Sequence, residues 1–294
     1  MIFLTGASGF VGSSVLNYFS NNCFCVSKRG DEYKIDSSSV VIHLVGKAHD
    51  LKNTTAPDEY YQVNTELTKK VFDAFLASEA KVFITLSSVK AIADEVEGAL
   101  IEEHFPNPIT HYGKSKLLAE EYILSQQIPK GKRVFILRPC MIHGPGNKGN
   151  LNLLYNLVSK GLPWPLGLFE NFRSYLSIEN LCFIMKEIIE RENISSGVYN
   201  LADDVPLSTN ELINMIAQSK GKKANILNLS RNLIKVLARI GDFLKLPLNS
   251  ERLKKLTESY IVSNAKIKEA LGKPLPVSSK DGLIRTFQSF SHNA

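Results

Sequence analysis

The sequence predicts an α/β fold with a doubly wound parallel sheet in residues 1–145 and a smaller α/β lobe in residues 146–294. Short apolar runs of strand length alternate with segments of helical periodicity up to residue 139, which is typical of a parallel sheet covered by helices. The first run leads at once into a glycine-rich turn. After residue 140 the pattern changes to loops rich in glycine and proline with shorter elements, which indicates a second lobe.

The first strand, Met1–Thr5, is followed by the segment Gly6-Ala-Ser-Gly-Phe-Val-Gly12 and then by a helical pattern over residues 10–21. Glycines allow a tight turn and let backbone N–H groups approach a pyrophosphate, while the helix N-terminus carries partial positive charge. The spacing is G-x-x-G-x-x-G, not the G-x-G-x-x-G of most dinucleotide folds, and a glycine-rich turn without a ligand is the alternative. We expect a Rossmann-type nucleotide site whose loop contacts are Gly6, Ser8, Gly9, Phe10, Val11 and Gly12.

The second strand, Cys23–Val26, is followed by Lys28 and Arg29, with no acidic residue before Asp31. At this place in dinucleotide folds an acid binds the ribose 2′-hydroxyl of NAD, whereas a cation accommodates the 2′-phosphate of NADP. The two cations therefore favour NADP(H), while NAD(H) remains possible. The alternative is a pair of solvated loop cations.

Three further strands are predicted at 40–45, 81–86 and 133–138, with a helix over 60–77 between the first two. Ligands of open parallel sheets bind at the carboxyl ends of the strands. We therefore expect cofactor contacts at these ends and on the neighbouring helix, from Leu44, Val45, Gly46, Asn64, Ser87 and Pro139.

In the second half, a helix is predicted over 151–160, a turn-rich segment over 162–167, and strands over 173–178 and 198–201, one of which could return to the sheet. Residues 231–245 form an amphipathic pattern with a broad apolar face and the cations Arg231, Lys235 and Arg239 elsewhere. Two interpretations are open: a helix packed on the lobe, or a contact with a membrane surface.

Composition excludes several classes of protein. The 294 residues carry a net charge of +6, but the lysines are dispersed, which argues against nucleic acid and suits an anionic small molecule. No apolar stretch approaches the ~20 residues of a membrane span. The four cysteines form no C-x-x-C pair and no cluster with metal-ligand spacing, so we expect no metal and a reducing, cytoplasmic compartment.

Tyr112 and Lys116 lie four residues apart on a predicted helix, so their side chains share a face. A nearby ammonium favours ionisation of the phenol, which can then exchange a proton with a hydroxyl or carbonyl while a nicotinamide exchanges hydride. Ser88, at a strand end, can hydrogen-bond the same oxygen. Tyr-x-x-x-Lys is a weak pattern alone, but it follows a glycine-rich turn and a strand-end serine here. We predict that Ser88, Tyr112 and Lys116 are catalytic, and that Tyr112 and Lys116 also contact the cofactor.

These motifs, together with Arg138-Pro-Cys-Met-Ile-His-Gly-Pro145, resemble the extended short-chain dehydrogenases/reductases of the NAD-dependent epimerase/dehydratase family over nearly the whole chain. A bacterial branch of polysaccharide synthesis, which contains UDP-sugar 4-epimerases and 4-keto reductases, is resembled by Ile42–Gly46, Ser87–Lys90, Leu162–Gly167, Arg173-Ser174 and Leu207–Glu211. The resemblance implies a UDP-sugar substrate, with Ser88 and Tyr112 at the sugar C4 oxygen and Lys116 also at the nicotinamide ribose.

The resemblance also implies substrate contacts in the second half of the chain. Arg173 matches the arginine that holds the diphosphate, and Arg252 is a second candidate in less similar surroundings. Asn150 matches a phosphate position. Trp164 and Leu166 lie where the uracil pocket is lined, although Trp164 could equally be ordinary core. These expected substrate contacts are Ser88, Asn150, Trp164, Leu166, Arg173 and Arg252.

Two departures from the family pattern narrow the function. Val89-Lys90 replaces the acidic pair of 4,6-dehydratases, which disfavours elimination of water, and His143 replaces the usual tyrosine. Three hypotheses remain: NADPH-dependent reduction of a 4-keto UDP-N-acetyl-6-deoxyhexose, 4-epimerisation of UDP-glucose or UDP-N-acetylglucosamine with tightly bound NAD, and a non-catalytic dinucleotide sensor. The cations Lys28 and Arg29 favour the reductase. From the resemblance we also expect a homodimer.

Overall fold

A computed structural model describes residues 1–26, 33–35, 39–47, 56–147, 149–244 and 249–291. Its centre is a parallel sheet of the strands β1 (Ile2–Thr5), β2 (Cys23–Val26), β3 (Val40–His43), β4 (Val82–Leu86), β6 (Arg133–Pro139) and β9 (Gly197–Leu201). Their order across the sheet is β2-β1-β3-β4-β6-β9. The order reverses between β1 and β3, which is where open α/β sheets form a ligand crevice. The predicted α/β class is confirmed.

Helices cover both faces of this sheet: α1 (Phe10–Phe19) and α6 (Ile178–Glu190) on one, α3 (Leu67–Ala77) and α4 (His111–Ser125) on the other. Because strand residues alternate between faces, Leu4 and Ile84 pack toward α6, while Phe3 and Phe83 pack toward α3. Burial on both faces explains why these strands are apolar throughout.

The helix predicted over 60–77 begins earlier and is not uniform. It starts with α2 (Pro57–Tyr60), passes through a π-helical turn at Tyr61–Glu66, and continues as α3. A π turn inserts one extra residue into a helix and is frequent at functional sites. Asn64 lies in this turn, fully buried.

The second half of the chain is tied to the first at several places. Gly197–Leu201 pairs with β6, and β10 (Ile261–Val262) pairs with β5 (Ala99–Leu100). A third sheet joins β7 (Met141–His143) to β8 (Tyr175–Ser177). The remaining elements are α5 (Asn150–Ser159), α7 (Thr209–Ser219), α8 (Arg231–Leu244), α9 (Ser250–Thr257), α10 (Ala265–Leu271) and α11 (Ser279–Ser291).

Within the described ranges, no helix combines the length and the apolar character needed to cross a membrane. The same part of the chain contains no cluster of three or more His, Cys, Asp or Glu residues suited to a metal ion.

Candidate active site

The glycine-rich turn is packed so tightly that two of its glycines have no room for a side chain. Gly6 has φ +80° and lies against the backbone of Leu44 and Val45, where a Cβ would come within 2.8 Å of backbone atoms. A Cβ on Gly12 would lie 1.9 Å from the Gly6 carbonyl oxygen. The first turn of α1 contains no acidic residue, and Gly9 begins the helix without a side-chain cap. The N-terminal N–H groups of α1 are therefore suited to an anion.

Gly46 brings the end of β3 against the helix that carries Tyr112 and Lys116. A Cβ on Gly46 would lie 3.0 Å from Lys116 Nζ and 3.3 Å from Asn64 Oδ1. Lys116 is buried, and its ammonium donates a hydrogen bond to the Leu86 carbonyl at 2.9 Å. The structure thus brings Gly6, Gly46, Asn64 and Lys116 into one contiguous set at the carboxyl edge of the sheet.

The polar atoms of the Asn64 side chain form hydrogen bonds with other residues of the protein. Its Oδ1 accepts from the Lys47 backbone N–H at 2.7 Å, while Nδ2 donates to the Lys47 carbonyl and to Ser115 Oγ. Ser115 Oγ in turn donates to the Tyr112 carbonyl. Asn64 therefore joins the segment after β3 to the first turn of α4 and positions Lys116 relative to Gly46.

Ser88, and not its neighbour Ser87, faces Tyr112. A hydrogen bond between the Ser88 and Tyr112 side chains lowers the Tyr112 pKa, but burial has the larger effect and raises that pKa above its ordinary value. The Ser88 hydroxyl also accepts from the Lys90 backbone N–H. Tyr60 lies edge-on to Tyr112, with 6.3 Å between ring centroids. The structure thus adds an effect that the sequence pattern does not show: burial raises the Tyr112 pKa, whereas a neighbouring cation favours ionisation.

Ser87 points to the other side of the strand end, where it donates to the Glu120 carboxylate. Arg138 binds the same carboxylate through Nε and Nη2, at 3.0 and 2.5 Å. Ser87, Glu120 and Arg138 are all buried. This ion pair braces β6 against α4 behind the Ser88–Tyr112 pair, and Pro139, also buried, ends β6 beside it.

Burial lowers the pKa of Lys116 to about 8, although Glu120 opposes this shift. Burial also lowers the pKa of His43, at the end of β3, to about 3. His43 is held between Thr5 and Thr68 by hydrogen bonds of 2.8 and 3.0 Å and stays neutral at physiological pH. Lys116 is therefore a group of this site that loses its charge at mildly alkaline pH.

Arg173 approaches the site from the C-terminal lobe. Its guanidinium donates to the carbonyls of Glu258 and Lys255, at the end of α9. The backbone at Arg173 also pairs with that at Tyr260. Lys90 Nζ lies 4.0 Å from the centre of the Tyr260 ring, and Tyr260 donates to the Ala93 carbonyl at 2.7 Å. A chain of contacts thus links Ser88 to Arg173 through Lys90 and Tyr260.

The other predicted substrate contacts are more dispersed. Trp164 and Leu166 are buried in an apolar cluster with Ile234 and Ala238 of α8, and Trp164 Nε1 donates to Asn210. Asn150 begins α5 with an exposed side chain, and Arg252 is exposed on α9. Trp164 and Leu166 therefore pack into the core of the lobe.

Lys28 and Arg29 lie outside the described residues. All other residues of the predicted site are described. The contributions of Glu120, Arg138, Tyr60 and Tyr260 were missed by sequence reasoning. Glu120 had a usable signal, since it lies four residues after Lys116 on the same helix face. Tyr260 had none, because it is 172 residues from Ser88 in the chain.

The sequence profile of the NAD dependent epimerase/dehydratase family matches residues 2–202. A curated relative, UDP-glucose 4-epimerase of Vibrio cholerae, is 29% identical over 320 residues, which cover 98% of this chain and 95% of the relative. N-acetyl-alpha-D-glucosaminyl-diphospho-ditrans,octacis-undecaprenol 4-epimerase of Escherichia coli O157:H7 is 27% identical over 317 residues, covering 98% and 94%.

The fold is also shared with solved structures. The structure of RMD from Pseudomonas aeruginosa complexed with NADPH aligns with a TM-score of 0.73 at 21% identity and covers 100% of this chain and 99% of its own. At that identity the likeness supports the fold alone.

Proposed function

The chain belongs to the NAD dependent epimerase/dehydratase family, and from this premise we propose that it is an NAD(P)-dependent enzyme that acts at C4 of a UDP-sugar. The observation that carries the proposal is the hydrogen bond between the Ser88 and Tyr112 side chains, with Lys116 one turn along the same helix. Ser88 follows β4, and Lys116 donates to the carbonyl of Leu86 at the end of the same strand; the carboxyl ends of such strands are where ligands of open parallel sheets bind.

The turn at Gly6–Gly12 fits a dinucleotide. Its backbone is packed too closely at Gly6 and Gly12 for a side chain, and the N–H groups at the start of α1 are available to a pyrophosphate. Lys116 and the backbone around Gly46 would hold the nicotinamide ribose. When bound, the nicotinamide would supply or accept the hydride. The loop residues Ser8, Phe10 and Val11 and the strand-end residues Leu44, Val45 and Pro139 would complete this cofactor site. The predicted contact from the Ser87 hydroxyl is not part of this proposal, because that hydroxyl donates to Glu120.

In this proposal Tyr112 moves the proton. Its hydroxyl donates to the C4 oxygen as that oxygen gains negative charge, while the Ser88 hydroxyl donates a second hydrogen bond to the same atom. The ammonium of Lys116 stabilises the phenolate that remains. Arg173, with Arg252 and Asn150 as further candidates, would bind the diphosphate of the substrate, and Trp164 and Leu166 would support the base.

Reduction of a 4-keto UDP-sugar, such as a 4-keto UDP-N-acetyl-6-deoxyhexose, is the reaction we favour. A reductase needs a protonated tyrosine at the start of the reaction, and burial of Tyr112 favours the protonated form by raising its pKa. Lys28 and Arg29 suit the 2′-phosphate of NADPH. Val89 and Lys90 provide no carboxylate where a dehydratase would need one.

A 4-epimerase is the second candidate, and it is favoured by the two full-length relatives that carry this activity in their names. The two reactions differ in cofactor use. An epimerase returns the hydride to the sugar, so it turns over with bound NAD alone. A reductase consumes NADPH in each cycle.

The test is turnover of purified protein with a 4-keto UDP-sugar and NADPH, and separately with UDP-glucose or UDP-N-acetylglucosamine and no added cofactor. Oxidation of NADPH that depends on the 4-keto sugar supports the reductase. Interconversion of the 4-epimers without added cofactor overturns it in favour of the epimerase.

Tyr112→Phe tests the shared mechanism. Removing the hydroxyl should lower kcat by about 10²–10⁴-fold, the usual contribution of general acid–base catalysis. Cofactor binding, followed by nucleotide fluorescence, should remain. Tyr61→Phe is the matched control on the same side of α4, since Tyr61 contacts His111, and it should leave kcat unchanged. Normal turnover by Tyr112→Phe would contradict the proposed role of this residue.

A further inference from the structure

The helix α8 exposes most of its apolar side chains. The buried residues of this helix are Ile234, Ala238 and Gly241. Six other apolar side chains are between 42% and 87% exposed: Leu233, Val236, Leu237, Ile240, Phe243 and Leu244. Phe243 is the most exposed of them. The sequence pattern predicts one broad apolar face, but the structure divides it into a narrow buried part and a wider exposed part.

The arrangement of side chains around α8 is ordered. At about 100° per residue, the exposed apolar side chains occupy an arc of about 120° from Phe243 to Leu237. The buried residues adjoin this arc on one side. On the other side lie the exposed cations Lys235 and Arg239, with Arg231 beyond them. An exposed apolar strip of this kind, bordered by cations, marks an interaction site.

We propose that this strip docks on the surface of a bilayer containing anionic phospholipid, with α8 lying in the plane of the interface. Charge complementarity selects this occupant. Lys235 and Arg239 border the strip, so their side chains can reach phosphate headgroups while the apolar residues enter the acyl boundary. The chain as a whole carries a net charge of +6, which adds attraction toward an anionic surface.

A second copy of the chain fits the strip less well. A two-fold contact sets a surface against itself, so it would bring the cationic borders of two helices together. The only acidic residue of α8 is Asp242, and its carboxylate already accepts hydrogen bonds from the Ser250 N–H and hydroxyl at 2.9 and 2.5 Å. These bonds favour the charged form of Asp242 by lowering its pKa, but one carboxylate against Arg231, Lys235 and Arg239 leaves α8 with a net positive charge.

The docking helix lies directly above the part of the lobe proposed to hold the substrate. Ile234 and Ala238 pack on Trp164 and Leu166, and Arg231 Nε donates to the Leu168 carbonyl at 2.7 Å. α9, which follows, ends at the carbonyls that hold Arg173. Docking through α8 would therefore bring this side of the lobe close to the bilayer surface.

The experiment is co-sedimentation of the full chain with vesicles of phosphatidylglycerol and phosphatidylethanolamine, compared with vesicles of phosphatidylcholine alone. Neither substrate nor cofactor is present, so the result is independent of the proposed function. We expect sedimentation with the anionic vesicles, and less of it as salt increases. Protein that stays in the supernatant with the anionic vesicles would overturn the proposal.

Two sets of variants locate the contact. Phe243→Ser should lower vesicle partition about tenfold, because one buried aromatic side chain is removed from the contact. Phe105→Ser, at a side chain that is 89% exposed elsewhere, is the matched control and should have no effect. Lys235→Glu with Arg239→Glu should abolish the preference for anionic vesicles, whereas Lys130→Glu should not.

Size-exclusion chromatography with light scattering distinguishes a second copy from a bilayer. We expect the same mass for the wild type and for Phe243→Ser. A wild-type dimer that becomes a monomer on this substitution would overturn the proposal and assign the strip to self-association. Since Phe243 is 87% exposed, the thermal unfolding curve of the variant should match that of the wild type.

Discussion

At the scale of single residues, the site depends on how burial changes proton affinities. Tyr112 and Lys116 lie one turn apart, and burial opposes the charged form of each. It keeps the phenol protonated and makes the ammonium easier to deprotonate. The upper limit of the pH range in which a protonated Tyr112 lies beside a cationic Lys116 is therefore set by Lys116, whose pKa is lowered.

Turnover should fall as pH rises above about 8, because Lys116 loses its proton there instead of near its ordinary 10.5. The fall should approach tenfold per pH unit if the ammonium is required. The measurement is the pH profile of kcat/KM with saturating cofactor. Lys116→Met should lose this limb together with most of the activity. Lys114→Met, on the exposed side of the same helix, should leave the profile unchanged, and a wild-type profile flat to pH 10 would contradict the assignment.

The Glu120–Arg138 pair should be essential for stability. Glu120→Gln leaves the buried Arg138 charge uncompensated, and we expect a loss of about 3–5 kcal/mol in the free energy of unfolding by urea. The exposed pair Arg285–Glu179 is the control, since Glu179→Gln should cost about 1 kcal/mol or less. Replacing both partners, as Glu120→Leu with Arg138→Met, should be less destabilising than Glu120→Gln alone. Equal losses for Glu120→Gln and Glu179→Gln would contradict this role.

At the scale of secondary-structure elements, the strands and the first turn follow from local sequence. Apolar runs bounded by glycine, serine or proline predict β1, β3, β4 and β6 to within one or two residues at most ends, because both faces of a parallel sheet are buried. Helix α4 begins at His111 and contains both Tyr112 and Lys116, as the sequence pattern predicts. The fold class, and the approach of a strand-end serine to the tyrosine of α4, could thus be predicted from the chain alone.

The remaining features depend on contacts that sequence patterns do not encode. Periodicity gives an apolar face to residues 231–245, but which part of that face is buried depends on the neighbouring cluster of Trp164 and Leu166. The π turn around Asn64 spans only six residues, which is too short for a hydrophobic period to distinguish it from an ordinary α-helix. Ser87 and Ser88 are alike in sequence, and only the strand register decides which of them reaches Tyr112.

Gly12 and Gly9 should respond differently to the same substitution. Gly12→Ala places a Cβ 1.9 Å from the Gly6 carbonyl oxygen, so we expect a loss of about 3 kcal/mol or more in stability. A Cβ on Gly9 would meet that same oxygen at 3.5 Å, an ordinary contact. Gly9→Ala should therefore fold as the wild type does and weaken only nucleotide binding. Urea unfolding and nucleotide titration measure the two effects, and equal stabilities of the two variants would contradict the packing argument.

At the scale of the whole molecule, the two halves of the chain share one sheet. β9, from the second half, pairs with β6, and the Asn200 backbone N–H of β9 donates to Glu102 Oε1 in the first half at 2.8 Å. A fragment of residues 1–145 would leave β6 as an exposed apolar edge strand. The proposed domains 1–145 and 146–294 should accordingly depend on each other for folding.

Unfolding should be a single cooperative transition. Trp164 is the only tryptophan of the chain and lies in the C-terminal lobe, so its fluorescence reports that lobe, whereas far-ultraviolet circular dichroism reports all helices and strands. We expect coincident urea midpoints from the two signals. Separate midpoints, or a stably folded fragment of residues 1–145, would contradict the dependence of one half on the other.

The extra residue in the wide turn at Tyr61–Glu66 also determines which way the side chains of α2, just before the turn, point around the helix axis. Deleting Gln62 would restore an ordinary α-helical repeat and swing Tyr60 by about 100° around the helix axis. The edge-on contact between its ring and that of Tyr112 would then be lost, and the phenol would gain access to solvent. A one-residue change in helix length, well away from the reacting atoms, would thus alter how acidic the proposed proton donor is.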